Sequence, residues 1–369
     1  MTVGIVGAGQ LGRMLALAGI PLGLDFLFLD RSADTPASQI APALIGELDD
    51  PTALRQLAER AEVISFDWEN VSVAALRAAA RGTRARIAPP LPALAAAQDR
   101  ALEKRLFTRL GIPTTRCAAV DSRAALARAL ARIGLPGVLK TRRMGYDGKG
   151  QVVIRDAAAV EAAWSQLGGV PLLYEEFVPF EQEVSAIGVR GRSGEIVYYP
   201  LNRNYHADGI LRLTLAPWHA AALERAAQRH LRRILQAFNY VGVLAVEFFV
   251  RRGRLLANEI APRVHNSGHW TIEGAVTSQF ENHLRAIVGL PLGATAARGH
   301  SAMINLIGSM PQRRELLSHV GLHLHDYVKT PRPGRKLGHC TLVESTARVR
   351  DRRARALLER LYPGLRLIQ

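Results

Sequence analysis

Two apolar runs, residues 242–250 and 255–260, are separated by a short turn around Gly253, and each carries one glutamate. The simplest structure for such a pair of runs is an antiparallel hairpin. Glu247 and Glu259 are equidistant from Gly253, so an odd loop centred there would set them directly opposite, on one face. Two carboxylates about 5 Å apart in an apolar hairpin repel each other unless a proton or a cation lies between them. Hard oxygen ligands with no Cys or His beside them point to Mg²⁺, with phosphate and water completing its shell. One carboxylate bonded to an arginine is the plainer alternative.

The second glutamate opens a further run. Residues 258–270 read Asn-Glu-Ile-Ala-Pro-Arg-Val-His-Asn-Ser-Gly-His-Trp. Carboxylate, amides, guanidinium, imidazoles and indole together are a mixture no apolar core needs, because burying them unpaired costs several kcal/mol. The stretch reads as a site where an anion, a metal and a polar small molecule are held at once.

At 369 residues the chain is too long for one ordinary core, and two or three domains are expected. Short apolar strands alternate with helices up to Pro89-Pro90, which predicts a parallel sheet with helices on both faces over residues 1–95. The first strand runs into Gly7-Ala8-Gly9-Gln10-Leu11-Gly12, and a second strand ends at Asp30. That matches the dinucleotide fingerprint and, alone, argues for NAD with Asp30 on the ribose. The glycines themselves guarantee only a tight turn whose N–H groups can face an anion. Glu69 lies just past the strand 63–67, where open α/β sheets bind ligands.

One long helix is expected over residues 94–110. Beyond it, Lys140 ends an apolar strand and precedes Gly145-Tyr146-Asp147-Gly148-Lys149-Gly150-Gln151. Glycines let backbone N–H groups approach phosphate oxygens and lysine supplies point charge, so the loop reads as a phosphate grip. It is not a P-loop, because a strand rather than a helix follows. Glu175, Glu176, Phe177 and Val178 form an edge able to offer backbone groups to a purine, and Glu183 begins the next strand. Residues 202–209, which include His206, read as a polar turn. Near the end, residues 331–334 fix a turn that carries Arg335 and Lys336 as a phosphate site. His323 and His325 alternate on a strand as a two-histidine metal candidate with no third ligand in view.

The net charge of +16 fits anionic partners such as nucleotides, phosphorylated metabolites or nucleic acid. It equally fits a composition in which Arg replaces Lys, since the arginines are scattered. Interleaved aromatics and a recognition-helix pattern are missing, so no nucleic-acid partner is expected. Two cysteines without metal or disulfide spacing, and an opening that is already a strand, fit a cytoplasmic protein. No apolar run of about 18 residues occurs, so no membrane association is expected.

These motifs together resemble the ATP-grasp superfamily. Within it, residues 258–270, the Gly9-Gln10-Leu11-Gly12-Arg13-Met14 turn and the late Arg332-Pro333-Gly334-Arg335-Lys336 with Gly338-His339 resemble the 5-(carboxyamino)imidazole ribonucleotide synthase family of purine biosynthesis. The resemblance covers nearly the whole chain. It implies an α/β (α+β) fold: a Rossmann-like domain over 1–95, an ATP-grasp domain over 96–295 with a lid around 115–180, and a C-terminal subdomain over 296–369.

It also implies a homodimeric ligase that uses ATP, Mg²⁺ and bicarbonate to carboxylate 5-aminoimidazole ribonucleotide through carboxyphosphate. Arg100, Lys140 and His206 would contact ATP, with residues 145–151 as the lid over its phosphates. Glu175 to Val178 would hold the adenine, Glu183 the ribose, and Asn258 would lie beside the phosphates. Glu247 and Glu259 would carry Mg²⁺. Arg263, His265, Asp147 and Lys149 would act at the reacting centre, His265 as proton acceptor for the amine. Gln10, Leu11, Glu69, Asn266, Ser267, Lys329, Arg335 and Lys336 would bind the ribonucleotide. Position 149 is often Arg in this family; Lys keeps the charge but not the bidentate fork. Another ATP-grasp ligase or transformylase is the nearest rival, and a dehydrogenase would account for residues 2–30 alone.

Overall fold

The computed structural model describes residues 1–145 and 148–365, and three sheets are found among them. The first contains β1 (Thr2–Val6), β2 (Asp25–Asp30), β3 (Ala43–Ile45), β4 (Val63–Phe66) and β5 (Arg86–Ile87), all parallel in the order β3-β2-β1-β4-β5. β4 is buried throughout, which is why apolar residues occupy both its faces, with Ser65 the one polar residue, rather than alternating. Helices α1 (Gln10–Gly19), α2 (Pro51–Arg60) and α3 (Val73–Ala80) cover its faces. α2 starts where the sequence directs: the Asp50 carboxylate accepts from Thr52 N and Ala53 N, and Pro51 needs no partner for a missing N–H.

The single helix expected over 94–110 is two, α4 (Leu91–Ala97) and α5 (Arg100–Arg109). Asp99 leaves helical geometry at φ −133°, and its carboxylate accepts from Ala101 N at 2.9 Å to start the second helix. The helical pattern runs across the junction, so only the cap marks the break.

The second sheet is antiparallel, with β6 (Cys117–Val120), β7 (Gly137–Thr141), β8 (Gln151–Ile154) and β9 (Leu172–Glu176) in the order β6-β9-β7-β8. Leu126, Ala129, Leu139 and Tyr174 bind it to its two helices as a separate small core.

The third sheet has nine strands: β10 (Gln182–Arg190), β11 (Ile196–Tyr198), β12 (Asn202–Ala207), β13 (Ile210–Ala216), β14 (Gly242–Arg251), β15 (Arg254–Ala261), β16 (His300–Ile307), β17 (Leu322–Asp326) and β18 (Lys336–Glu344). Their order is β15-β14-β10-β12-β13-β16-β18-β17, with β11 beside β10. The last three strands thus extend the sheet that holds the carboxylate hairpin. Residues 202–209 are not a turn, as the sequence suggested, but chiefly strand β12; only Asp208 and Gly209, at φ 53° and 73°, make the turn. Buried Asn202 and Asn204 are tolerated there because their amide nitrogens find partners, although Asn202 Oδ1 has none. Asn202 Nδ2 donates to Asn204 Oδ1 at 3.1 Å, and Asn204 Nδ2 donates to Ser185 Oγ at 2.6 Å.

One core joins the first and third sheets, with Val3, Ile5 and Phe28 meeting Ile187, Val243, Phe280 and Leu284. His283 pins the joint. Its Nδ1 accepts from Val243 N at 3.1 Å, which leaves the proton on Nε2, 3.1 Å from Ser65 Oγ. No helix among the described residues is long and apolar enough to cross a membrane.

Candidate active site

The pairing of Glu247 with Glu259 is observed, but not through an odd loop. Arg251 pairs with Arg254, leaving Arg252 and Gly253 as a two-residue turn with φ of 49° and 67°. Continued regularly, that register would set Glu247 against Asn258. A bulge intervenes after Phe248↔Ala257, Asn258 becomes the additional residue, and Glu259 moves opposite Glu247.

The plainer alternative also holds, since Arg100 Nη1 donates to Glu259 Oε2 at 2.9 Å. Burial pushes the Glu259 carboxyl up, but Arg100, Lys140 and Lys104 outweigh it and hold it below its ordinary value. Glu247 has no arginine; burial and the Glu259 charge push it up. The Asn258 Oδ1 atom is buried without a hydrogen-bond partner.

Behind this pair lies a buried ion cluster. Glu175 Oε2 is 3.2 Å from Lys140 Nζ and 3.4 Å from Lys104 Nζ, and accepts from Thr115 Oγ1 at 3.0 Å. Burial raises the Glu175 carboxyl, yet Lys104, Lys140 and Arg100 hold it down at about 2. Glu175 Oε2 therefore binds lysines, while Oε1 is buried without a hydrogen-bond partner and the residue lies between β6 and β7 in the sheet. Of the expected purine edge, Phe177 N already donates to Pro136 O at 3.1 Å, Glu176 pairs with Arg116 Nε at 2.9 Å, and Val178 is buried. Glu183 and His206 bind each other through Oε2 and Nδ1. Burial opposes protonation of His206, but Glu183 prevails and raises it.

On the far side of the carboxylates, Arg263 Nε donates to Glu69 Oε2 and its Nη1 to Val264 O at 3.0 Å. The pair joins the segment after β4 of the first sheet to the segment after β15 of the third. His265 Nδ1 accepts from Ser267 N at 3.3 Å and lies 2.8 Å from Ser267 Oγ. The proton is thereby assigned to Nε2, which is 3.5 Å from Glu247 Oε1. Burial, with Arg263 and Lys336, lowers this imidazole to about 3. With Nδ1 engaged by Ser267 N, this ring presents Nε2–H as a hydrogen-bond donor, whereas the sequence reading expected a proton acceptor. Both amide atoms of Asn266 are buried without partners, aside from which the turn is held by Gln279 Nε2 donating to His265 O and by Asn202 Nδ2 donating to Ser267 O.

Lys329 Nζ donates to Gln10 Oε1, joining the C-terminal segment to the start of α1. Arg335 Nη1 donates to Thr330 O at 3.0 Å within the turn. Lys336 lies close enough to oppose protonation of His265 and His206. Leu11 is packed in the core, so its side chain is not a ligand and only its backbone could serve.

The glycine turn does not hold a dinucleotide. Gly9 N donates to Asp67 Oδ2 at 2.6 Å, Gly12 N to the same oxygen at 3.4 Å, and Ala8 N to Asp30 Oδ2 at 2.7 Å. Carboxylates of the protein fill the place a pyrophosphate would take, and Asp30 binds backbone rather than ribose. Burial raises Asp67 to about 6 despite those donors.

Tyr146 and Asp147 lie outside the described residues. The rest of the loop packs closely: a Cβ on Gly148, at φ 75°, would come 3.0 Å from Gly209 Cα, and one on Gly150 2.5 Å from Thr141 Oγ1. Gln151 begins β8 opposite Lys140; Lys149 is exposed, and Gly145 lies with Arg100 Nη2 3.4 Å from where its Cβ would be. Asp99 anchors the loop's approach, accepting from Arg142 Nη2 at 2.6 Å and Nε at 3.0 Å.

Sequence reading assigned no role to Asp67, Asp99, Glu103, Lys104 or Gln279, and placed Asn202 in a polar turn. A helix cap was the available signal for Asp99; the others sit in ordinary strand, turn or helix contexts. Among the described residues no group of three or more His, Cys, Asp or Glu could hold a metal ion. His325 instead contacts Glu273 Oε1 through Nε2 at 2.6 Å and stacks on His339.

The chain matches the ribonucleotide synthetase preATP-grasp domain over residues 1–98, the ATP-grasp domain over 105–280, and the phosphoribosylaminoimidazole carboxylase C-terminal domain over 301–353. It is 49% identical over 362 residues to the N5-carboxyaminoimidazole ribonucleotide synthase of Pseudomonas aeruginosa, covering 97% of this chain and 100% of that one. The crystal structure of the synthetase of that name from Thermus thermophilus superposes with a TM-score of 0.93 at 50% identity, over 98% of this chain and 99% of the other. An Aspergillus clavatus synthase in complex with ADP and 5-aminoimidazole ribonucleotide superposes at 0.91 with 31% identity, over 97% of each chain.

Proposed function

The chain belongs to the N5-carboxyaminoimidazole ribonucleotide synthase family, and we propose from that premise how its residues divide the reaction. It is an ATP-dependent ligase of purine biosynthesis with an ATP-grasp fold, joining a carboxyl group to the exocyclic amine of 5-aminoimidazole ribonucleotide. The observation that carries the assignment of roles is the continuity of Glu259 and Arg263. Four residues apart on one segment, they meet Arg100 on one side and Glu69 on the other.

In the first half-reaction a bicarbonate oxygen attacks the γ-phosphorus of ATP, ADP leaves and carboxyphosphate forms. Arg100 and Lys140 face the side of the carboxylate pair where nucleotide phosphates would lie, and their positive charge offsets the charge gathering there. The opposed Glu247 and Glu259, with the unpartnered Asn258 Oδ1, fit a hard divalent cation. Such an ion, Mg²⁺ by its donor set, would neutralise phosphate oxygens when bound.

In the second half-reaction the amine nitrogen forms a bond to the carboxyl carbon of carboxyphosphate or of CO₂ released from it, phosphate departs, and that phosphate takes up the proton the nitrogen loses. Asn266, with both amide atoms buried and unpartnered, is available to the aminoimidazole. Arg263, held by Glu69, would face the acid anhydride, and His265 would donate a hydrogen bond from Nε2. Gln10, Lys329, Arg335 and Lys336 gather beside the glycine turn and would take the ribonucleotide phosphate. The loop 145–151 would exclude water, which destroys carboxyphosphate. We assign residues 1–95, 96–295 and 296–369 as its working units, and homodimerisation and a cytoplasmic location accord with the family and with two free thiols, Cys117 and Cys340.

The test is ADP release measured with and without bicarbonate and 5-aminoimidazole ribonucleotide, with the carboxylated product followed in parallel. ADP formed in equal amount with other amine acceptors, or without bicarbonate, would overturn the reading.

A further inference from the structure

β15 is an edge strand of the nine-stranded sheet, so its outward N–H and C=O groups need partners from elsewhere. Around the bulge every such partner seen comes from α5 and the segment after it. Ala257 N donates to Pro113 O at 2.7 Å, and Thr114 Oγ1 donates to Ala257 O at 2.7 Å. Lys104 Nζ donates to Asn258 O at 2.9 Å, and Ile260 N donates to Glu103 Oε1 at 2.6 Å. The last two bonds, to Asn258 O and from Ile260 N, bracket Glu259. Glu103 and Lys104 are 1% and 2% exposed, so neither is a solvated charge that happens to be near.

We propose that Glu103 and Lys104 are positioning residues that clamp the bulged Asn258, so that Glu259 faces Glu247, and that Lys104 couples this point to Glu175. The inference rests on the reading of Glu247 and Glu259 as the cation site given above. Its physical basis is register. A strand without the bulge would pair Asn258 with Glu247 and turn Glu259 to the other face, because side chains alternate with a period of two. A bulge leaves one residue outside the ladder, and its carbonyl must be satisfied by something else. Lys104 supplies that bond, while Glu103 fixes the N–H just after Glu259. Through its 3.4 Å contact with Glu175 Oε2, Lys104 also spans from the third sheet to the end of β9. Neither residue reaches the substrates in this role; both act through Glu259.

The test uses the full-length chain with Glu103→Leu, Glu103→Gln, Lys104→Met and the milder Thr114→Val. Mn²⁺ binding in the presence of ADP is read by electron paramagnetic resonance, with unfolding temperature and the KM values for ATP and the aminoimidazole nucleotide measured alongside. Loss of a supporting bond is expected to weaken Mn²⁺ by about 10-fold or more in Glu103→Leu and Lys104→Met. KM for ATP should rise while KM for the nucleotide acceptor stays near the wild-type value. Glu103→Gln keeps the acceptor oxygen and should bind Mn²⁺ like the wild type. If either buried variant does not fold, Thr114→Val, which removes one bond of the same clamp, should still show a weaker shift in the same direction. Folded variants with wild-type Mn²⁺ affinity would overturn the proposal, as would a fall in unfolding temperature with no change in affinity. A wild-type chain that itself binds no Mn²⁺ with ADP would overturn the cation-site reading instead.

Discussion

Glu247 and Glu259 face each other across a hairpin because Asn258 is one residue too many in its strand. The turn itself would have opposed Glu247 to an amide. The acidic pair is thus a product of the bulge, and its two members differ: Arg100 holds Glu259 ionised while burial and repulsion push Glu247 up. Replacing Glu259 with Gln should lower bicarbonate-dependent ADP release by on the order of 100-fold, a loss typical of removing one electrostatic element from a phosphoryl-transfer site. Glu247→Gln should act in the same direction. Steady-state kinetics across a Mg²⁺ titration would check both; unchanged rates at low Mg²⁺ would refute the assignment.

Arg263 is half-buried against Glu69, and removing the carboxylate would leave its charge without that partner. Glu69→Ala should cost roughly 1–2 kcal/mol of stability, between an exposed and a fully buried pair, read from urea unfolding. The double variant Glu69→Ala/Arg263→Ala should recover part of that loss, because no half-buried charge is then stranded. A simple sum of the two single effects would argue against the pair.

The glycine turn is filled by Asp67. At Gly7, with φ of 95°, an added Cβ would lie 1.8 Å from Asp67 Oδ1. Gly7→Ala should therefore destabilise the chain by roughly 2 kcal/mol or more, seen as a lower unfolding temperature. NADH fluorescence should show no binding to the wild type; saturable binding would reopen the dehydrogenase reading.

Lys329 is lowered to about 8, chiefly by burial and then by Arg335. It is charged below that pH and neutral above it, so attraction for a ribonucleotide phosphate is present at pH 7 and lost as pH rises through about 8. KM for the nucleotide should climb on the alkaline side while KM for ATP does not. Lys329→Arg, which stays charged, should move that rise to higher pH. An identical alkaline rise in both enzymes would exclude Lys329.

Asp99 holds Arg142 at the root of the glycine-rich loop. Asp99→Ala should loosen the loop and let water reach carboxyphosphate, so that ADP is released in excess of carboxylated product. The ratio of the two in one assay mixture is the measurement, and a ratio unchanged from wild type would count against this anchoring role.

Local chemistry was enough to reveal a good part of this molecule. The alternation of strand and helix through residue 88, the Pro51 helix start, the glycine-rich loop after Lys140 and the polar run from Asn258 to Trp270 are all written in neighbouring residues. Spacing around Gly253 even led to the correct carboxylate pair, though by the wrong loop. Other features lay beyond such reading. Nothing near Asp67 announces that it will fill a glycine turn 58 residues away, and nothing near Lys104 announces Asn258, 154 residues away. Asn202 and Asn204 looked like a turn because their partners, Ser185 and Ser267, come from other elements.

His265 shows the division most clearly. Its presence in a polar run marks a candidate site, but which ring nitrogen carries the N–H, and whether the ring is charged, depend on Ser267 N, on burial and on the charges of Arg263 and Lys336. Periodicity, caps and turn residues act over a few positions and so can be read along the chain. Register, tautomer and the state of a buried charge depend on what packs beside each group, and only the folded chain supplies those neighbours.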